Sequence, residues 1–231
     1  MVEPSLRFVR LTSAAAVAAE AARRLSLAAR AAIAARGELK CVLAGGRTPL
    51  AAYGLLAERD EDWARWRLFL GDERCLPPDD PERNSHAIAT VWTERVGIPR
   101  SRLHWIPAEL GAVPAATRYD DLIRGHAPFD LILLGMGEDG HTASLFPGQA
   151  LASTAWVVPV HGAPKSPAER VTLTPTALAA APERLVLVTG ADKRAALAAW
   201  RAGEDLPVAR VAATGPTLVL MDVEAAPEGP G

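Results

Sequence analysis

The sequence has few cysteines and no long apolar run, and both absences narrow the range of possible locations. Only two of its 231 residues are cysteines, Cys41 and Cys75, and their separation fits neither a metal site nor a disulfide framework. We expect reduced thiols in a cytoplasmic protein. The alanine-rich stretch 14–35 is interrupted by charges and carries its arginines after its apolar patch, so it predicts neither a membrane span nor a signal peptide.

Blocks of like charge are also absent. The 25 basic and 27 acidic residues give a formal net charge of -2 and are interspersed along the chain. A nucleic-acid-binding stripe or a polybasic membrane anchor would concentrate basic residues, so the sequence predicts neither kind of partner. A chain of this length fits one α/β domain with a large core, which we assign to residues 1–226, followed by a frayed tail at 227–231.

Apolar runs rich in valine, leucine and isoleucine alternate with helical patterns along the chain. This alternation is typical of βαβ units and predicts an α/β fold, a single-domain, Rossmann-like, open and mostly parallel sheet with helices on both faces. The predicted strands are 6–9, 40–44, 67–70, 103–106, 130–134, 156–160, 171–174, 185–189 and 217–221. The predicted helices are 13–36, 49–59, 83–95, 114–125, 175–181 and 191–201.

The segment 129–148, FDLILLGMGEDGHTASLFPG, joins an apolar strand to a glycine-rich turn and a histidine. Open α/β sheets bind their ligands where such strands end. The imidazole of His141 is suited to move a proton near neutral pH, and Asp139 is close enough in sequence to orient the ring. We therefore predict that His141 and Asp139 belong to a catalytic site.

Other interpretations of this segment stay open. Its glycines match G-x-G-x-x-G, but the pair Pro-Gly at 147–148 stops any long helix, and no acidic residue follows at the distance that a dinucleotide site requires. A structural turn with a capping histidine is a further alternative. Ser144 follows His141 at helical spacing, but a serine nucleophile would lack its G-x-S-x-G turn.

A second strand end, after residues 40–44, carries a glycine pair. Gly45 and Gly46 allow close backbone approach, Thr48 can cap the following helix, and Pro49 suits its first position. Free N–H groups and the positive end of the helix dipole there favour a phosphate, although a plain turn explains the same composition.

The strand 67–70 is followed by Asp72, Glu73 and Arg74. Arg74 can bind a phosphate or a carboxylate through two hydrogen bonds, and the two acids can serve as acid or base. Taken alone, a solvated surface ion pair is the favoured interpretation of these charges.

Lysine is rare, and two of the three lysines lie in loops at strand ends. Lys165 precedes the strand 171–174, and Lys193 lies at the head of the helix 191–201. This placement is consistent with a need for a compact ammonium group, and neutral drift explains it almost as well. His161 lies near Lys165 in sequence and is at most a supporting residue. The remaining histidines, which lack metal-ligand partners at useful spacing and predict no metal site, are His86, His104 and His126.

Five segments resemble the 6-phosphogluconolactonases, whose fold is shared with glucosamine-6-phosphate deaminases. In order they are LAGGRTP, LGDERCLPPDDPERN, FDLILLGMGEDGHTASLFPG, VHGAPKSPAERVTLT and VTGADK. The resemblance covers nearly the whole chain and implies hydrolysis of 6-phospho-D-glucono-1,5-lactone to 6-phosphogluconate, the second step of the oxidative pentose phosphate pathway. It implies a small sugar-phosphate lactone as partner and neither a metal nor an organic cofactor. A monomer and a small homo-oligomer are both compatible with it.

The resemblance also implies roles for individual residues. His141 would take a proton from the attacking water, and Asp139 would set its tautomer. Backbone N–H groups of the Gly45–Gly46 loop or of the 137–140 turn would stabilise the oxyanion. The residues that we expect to bind substrate are Gly45, Gly46, Thr48, Asp72, Arg74, Lys165, Arg170 and Lys193, of which Arg74, Arg170 and Lys193 would bind the phosphate, with Lys165 as a mobile fourth.

Two alternative functions remain. A glucosamine-6-phosphate deaminase or isomerase typically has a tyrosine at the position of Arg74 and a glutamate at the position of Phe146, so this chain would lack one carboxylate for proton shuttling. A non-catalytic sugar-phosphate sensor would need an output module, and no helix-turn-helix segment or basic extension accompanies the chain.

Overall fold

Seven parallel strands form the central sheet of the computed structural model, which describes residues 6–149 and 153–227. The strands of the described residues are, in chain order, β1 (Leu6–Leu11), β2 (Leu39–Leu43), β3 (Trp66–Leu70), β4 (Asp72–Arg74), β5 (Leu103–His104), β6 (Leu131–Gly135), β7 (Val157–Val160), β8 (Arg170–Leu173), β9 (Arg184–Val188) and β10 (Thr217–Asp222). The large sheet has the order β1-β10-β9-β6-β2-β3-β5, with every pairing parallel. The predicted α/β fold with a mostly parallel sheet is confirmed.

A smaller antiparallel sheet stands apart from the large one and has the order β4-β8-β7. The chain passes between the sheets at Gly71, whose N–H donates to Leu43 O of the large sheet (2.9 Å) and whose carbonyl accepts from Leu173 N of the small sheet (2.8 Å). The predicted strands 156–160 and 171–174 lie in this second sheet. The third strand of this sheet, β4, which pairs with β8, was not predicted, because its three residues are all charged.

Helices surround the large sheet. Those of the described residues are α1 (Ala14–Arg36), α2 (Arg47–Leu56), α3 (Asn84–Ile88), α4 (Ala112–His126), α5 (Pro175–Leu178), α6 (Arg194–Arg201) and α7 (Pro207–Ala212). The long helix α1 ends at the predicted residue and begins one residue later than predicted, because Ser13 is its cap, with a hydroxyl that accepts from Ala16 N (3.2 Å), and Gly37 ends the helix with a φ of 82°. Helix α7 was missed because six residues are too few to show a 3.6-residue period.

Helix α2 corrects the predicted start of this element. It begins at Arg47, directly after Gly46, whose φ of 95° is a conformation that glycine adopts at no steric cost. Thr48 is therefore not the cap and Pro49 is not the first helical residue. The Thr48 hydroxyl lies 2.5 Å from the Thr189 hydroxyl instead and joins the first turn of α2 to the loop after β9.

The core lies between the large sheet and its helices. Residues Leu131 to Leu134 of β6 are all buried, which explains why this strand is continuously apolar instead of alternating. Tyr53 and Trp92 stack with ring centroids 5.2 Å apart, and Trp66 meets Trp92 edge-on at 5.6 Å. Through Trp92, these contacts pack α2 against the start of β3.

Two of the histidines that predicted no site, His104 and His126, pack against an aromatic ring. His104 stacks on Phe69 with centroids 4.8 Å apart, and His126 lies 5.2 Å from the same ring. Among the described residues, no group of three or more metal-ligating side chains is close enough to hold an ion, and no helix is long and apolar enough to cross a membrane. Residues 228–231 of the predicted tail lie outside the described part, and the assignment of 1–226 to one domain stays a prediction.

Candidate active site

A cavity of about 380 Å³ lies where the loops after β2, β3, β6 and β9 come together. This is the carboxyl edge of the parallel strands, the place where the topology of an open sheet leaves a crevice. His141 and all of the predicted substrate-binding residues line its wall, namely Gly45, Gly46, Thr48, Asp72, Arg74, Lys165, Arg170 and Lys193.

His141 and Asp139 form a hydrogen-bonded pair at this wall. The Nδ1 atom of His141 lies 2.5 Å from Asp139 Oδ1, and the same oxygen accepts from His141 N at 3.1 Å. A carboxylate on Nδ1 fixes the tautomer in which Nδ1 carries the hydrogen and Nε2 carries the lone pair. No described residue bonds to Nε2, so this nitrogen is available to a ligand in the cavity.

The turn that carries this pair is closed by its own backbone. Gly137 N donates to His141 O (2.8 Å), and the Thr142 hydroxyl donates to Gly135 O (2.8 Å). The His141 ring packs against Gly137 so closely that a Cβ atom at this position would lie 2.0 Å from Nδ1 and 2.7 Å from Asp139 Oδ1. A residue without a side chain is therefore required at position 137.

The surroundings set the charge of the pair. Burial lowers the pKa of His141 below its ordinary value of 6.5, and the hydrogen bond and charge of Asp139 oppose that shift without cancelling it. Burial alone would raise the pKa of Asp139, but the hydrogen bonds from the ring and backbone of His141 outweigh it, so this pKa is lowered. At neutral pH, Asp139 is therefore ionised and His141 is a neutral base.

Asp72 is a buried carboxylate that reaches the cavity. Its Oδ2 accepts from the Ser144 hydroxyl (2.6 Å), and its Oδ1 accepts from Asn84 Nδ2 (3.2 Å). Ser144 is fully buried and its hydroxyl is directed to Asp72, so it does not have the bond to His141 that a serine nucleophile needs. These two bonds hold Asp72 in one orientation at the wall.

Glu73 is not the solvated surface acid that its sequence context favours. It is fully buried and accepts from the backbone N–H groups of Arg74 (2.9 Å), Asn84 (2.8 Å) and Ser85 (2.8 Å). The Nε atom of the buried Arg83 lies 3.5 Å from Glu73 Oε2. Glu73 therefore fixes α3 against β4, and it takes no position in the cavity wall. The expectation failed because alternation in β4 turns this side chain inward.

Cationic side chains dominate the charge of the cavity wall. Those of the described residues that line it are Arg47, Arg74, Lys165, Arg170 and Lys193, and the one carboxylate among the lining residues is Asp72. Such an excess of positive charge favours an anionic ligand.

The two predicted arginines differ in how much of their guanidinium is free. Arg170 is buried, and its Nε and Nη2 atoms donate to carbonyls of its own loop at 165–167. Its guanidinium carbon lies 5.6 Å from the ring centroid of Phe146. Arg74 donates once, from Nη1 to Glu82 O (2.6 Å). Arg74 therefore keeps more donors for a ligand than Arg170 does.

The two lysines meet at one carboxylate. Lys165 Nζ lies 2.8 Å from Glu138 Oε1, and Lys193 Nζ lies 3.6 Å from Glu138 Oε2. Lys193 also contacts Asp192 at 2.9 Å. The loop before β8 and the start of α6 are thus joined through the turn that precedes His141.

The loop between β2 and α2 keeps its backbone donors. No described residue accepts from Gly45 N or Gly46 N, while Gly137 N and Gly140 N of the histidine turn donate to His141 O (2.8 Å) and Gly137 O (3.1 Å). A Cβ atom at Gly45 would lie 1.9 Å from Asn84 Oδ1, so only glycine fits at position 45 beside the side chain of Asn84. Its free N–H groups precede the positive end of the α2 dipole.

Several residues that line the cavity were not among the predicted site residues. Thr189 ends the predicted strand 185–189, a position that already indicates the carboxyl edge, whereas Asn84 and Ser166 lie in two of the five resembling segments but were given no role there. His161 is exposed, lies 2.6 Å from Glu169 and does not line the cavity.

The chain is similar to known proteins over most of its length. The model of the family "Glucosamine-6-phosphate isomerases/6-phosphogluconolactonase" matches residues 12–220. The 6-phosphogluconolactonase of Mycobacterium leprae is 36% identical over 230 residues, which cover 91% of this chain and 93% of the relative. The crystal structure of the 6-phosphogluconolactonase of Thermotoga maritima covers 94% of this chain and 100% of its own, with a TM-score of 0.87 and 30% identity.

A structure of a monomeric glucosamine-6-phosphate deaminase is also similar. It covers 95% of this chain and 98% of its own with a TM-score of 0.83, but at 20% identity the likeness shows the fold alone. The resemblance expected from the five sequence segments is confirmed by relatives at higher identity. From the family match over most of its length, this chain belongs to the family of glucosamine-6-phosphate isomerases and 6-phosphogluconolactonases.

Proposed function

We propose that this protein hydrolyses 6-phospho-D-glucono-1,5-lactone to 6-phosphogluconate by general-base catalysis. The observation that carries the proposal is the oriented His141–Asp139 pair in the wall of a cavity lined by cations. The same hydrolysis is the activity named for the relatives from Mycobacterium leprae and Thermotoga maritima.

The reaction needs one base that later acts as an acid. A water molecule loses a proton to His141 Nε2 while its oxygen forms a bond to the lactone carbonyl carbon. The tetrahedral intermediate then expels the ring oxygen, which takes the proton from the imidazolium and leaves as a hydroxyl group. Asp139 keeps the ring oriented through both steps and stabilises the imidazolium charge.

The oxyanion requires donors that are in place before the reaction. The free N–H groups of Gly45 and Gly46 meet this requirement, whereas the donors of Gly137 and Gly140 are already used. The other turn also contains the N–H groups of Glu138 and Asp139, but these residues do not line the cavity, so we propose the Gly45–Gly46 loop for this role.

The phosphate provides binding energy away from the reacting carbonyl. We assign it to Arg74, Lys193 and Lys165, with Arg170 contributing the guanidinium nitrogen that its loop does not use. Holding this distant anion positions the lactone against His141, so that binding energy lowers the barrier to attack.

The side chain of Phe146, which packs against His141, disfavours the rival deaminase reaction. Phe146 is buried, and its ring centroid lies 4.7 Å from that of His141. Ring opening and proton transfer between adjacent carbons would need a further carboxylate at this position, which an apolar ring cannot supply. Attack by water needs only the base that is present.

We extend the proposal to the organisation of the protein. Residues 1–226 would act as one domain, because its buried apolar cluster includes side chains from Val17 to Ala226. The mechanism above uses only the chain's own base and donors and needs neither metal nor organic cofactor. We propose a cytoplasmic enzyme with no nucleic-acid or membrane partner, active as a monomer or a small homo-oligomer.

The two family activities can be separated directly. The purified protein should accelerate acid release from freshly generated 6-phosphogluconolactone well above the rate without enzyme, and it should release no ammonia from glucosamine 6-phosphate at a comparable rate. Acid release is followed with a pH indicator, and ammonia with a coupled assay. Ammonia release at the faster rate would replace the lactonase assignment with the deaminase one.

The pKa of His141 gives a second test. Because burial holds this pKa below 6.5, the ring should stay neutral at neutral pH, and catalysis should be lost as the pH falls through the lowered value. The ring resonance of His141, assigned by its absence in His141→Ala, should titrate below 6.5 in the NMR spectrum. A midpoint above about 7 would mean that the carboxylate outweighs burial, contrary to the structure.

A further inference from the structure

Glu138 is a charged residue at the cavity mouth that the proposed mechanism does not use. It follows Gly137 in the turn, does not line the cavity, and has 53% of its side chain exposed. Nevertheless its two carboxylate oxygens are directed to different lysines of the wall, Lys165 at 2.8 Å and Lys193 at 3.6 Å. An exposed glutamate side chain has many conformations in which it points into solvent. Its contact with two lysines therefore indicates a strong local excess of positive charge.

The Glu138 carboxylate, which bridges Lys165 and Lys193, resembles a bound anion in its chemistry. A carboxylate offers two acceptor oxygens and one negative charge, whereas a phosphate offers three oxygens and up to two charges. The hydrogen bond to Lys165, with the charge of Lys193 behind it, lowers the pKa of Glu138, so the group is ionised at neutral pH. Asp192 contacts Lys193 from the other side at 2.9 Å. A ligand phosphate must share or replace these contacts.

We propose that Glu138 is an internal competitor for the phosphate site, which sets the affinity for phosphorylated ligands. With the cavity empty, its carboxylate holds the two ammonium groups together. When a phosphate arrives, Lys165 and Lys193 transfer to it, and the nearby glutamate then repels the bound dianion. Glu138 thereby weakens the binding of both substrate and product and favours product release.

The test is the variant Glu138→Gln, which keeps the shape of the side chain and removes its charge. Exposed ion pairs are weak, so we expect the Kd for inorganic phosphate and for 6-phosphogluconate to fall by roughly threefold to fivefold. The KM for the lactone should fall by a similar factor, with kcat within about twofold of the wild type, because the base is untouched. The difference in Kd should shrink in about 0.5 M salt, which screens exposed charges.

Two further variants make the result specific. Glu58→Gln removes another exposed carboxylate, which lies away from the cavity and pairs with Arg95 at 2.5 Å, and it should leave the Kd unchanged. In a Lys165→Met background, Glu138→Gln should lose most of its effect, because the two residues act on one contact. An unchanged or raised Kd for phosphate in Glu138→Gln would overturn the proposal.

This inference rests on the proposed function, and the experiment separates the two. A wild-type protein that does not hydrolyse the lactone contradicts the proposed function. The Kd for inorganic phosphate is measured by calorimetry without turnover, so it tests the role of Glu138 alone.

Discussion

Replacing His141 by alanine should reduce kcat for lactone hydrolysis by roughly 10²–10⁴, the contribution of a well-placed general base. The loss should be in kcat and not in affinity, because the phosphate is assigned to arginine and lysine side chains on other loops. We therefore expect the Kd for 6-phosphogluconate to stay within about threefold, since only an interaction of the transition state is removed. Initial rates and calorimetry on the same preparation measure both quantities.

The chain offers a matched control for this experiment. His161 also pairs through Nδ1 with a carboxylate, Glu169 at 2.6 Å, but this pair is exposed and lies outside the cavity wall. His161→Ala should keep the wild-type kcat. If both variants lost the same activity, or if His141→Ala kept more than about a tenth of it, His141 would not be the base.

The parts of the site that the sequence predicted share one physical origin. Parallel strands bring their carboxyl ends to one edge, so polar residues that follow apolar runs meet there whatever their distance in sequence. This is why Gly45, Asp72, His141 and Lys193 line one cavity although 148 positions separate the first from the last. The pattern of apolar runs followed by polar residues therefore predicts the place of the cavity without knowledge of individual contacts.

What the sequence could not show depends on pairing between distant segments. The three charged residues of β4 form a strand only because β8 offers them a partner, and that pairing buries Glu73. The interior carboxylate is tolerable there because three backbone N–H groups and Arg83 surround it. No local pattern distinguishes such an acid from a solvated one, since both follow an apolar strand.

The bridge through Glu138 was equally hidden. Three segments that are separate in sequence meet here: the turn 137–140, the Lys165 loop and the start of α6. An exposed glutamate in a glycine-rich turn carries no signal of its own. Only the folded chain brings Lys165 and Lys193 to the two oxygens of the same carboxylate. Contacts between charged side chains on different loops are set by tertiary geometry and not by local propensity.

Gly137→Ala should remove most of the activity while the protein stays folded. The φ angle of Gly137 lies outside the left-handed region, so alanine fits the backbone there, and the three atoms nearest to its methyl group belong to His141 and Asp139. That methyl group would lie 2.0 Å from His141 Nδ1 and 2.7 Å from Asp139 Oδ1, so the ring must move. A displacement of about 1 Å at a reacting group costs roughly 10²-fold in rate, and we expect kcat to fall by about this factor.

Gly54 provides the matched control for the same substitution. It lies in α2, and a Cβ atom there would have no neighbour within 4 Å. Gly54→Ala should therefore keep the wild-type kcat and raise the free energy of unfolding by about 0.4–1 kcal/mol, because alanine restricts the unfolded chain. Thermal unfolding and initial rates on both variants separate catalytic geometry from stability. If Gly137→Ala hydrolysed the lactone as fast as Gly54→Ala, the close packing of the ring on residue 137 would have no part in catalysis, since the Asp139–His141 pair would then work equally well after displacement.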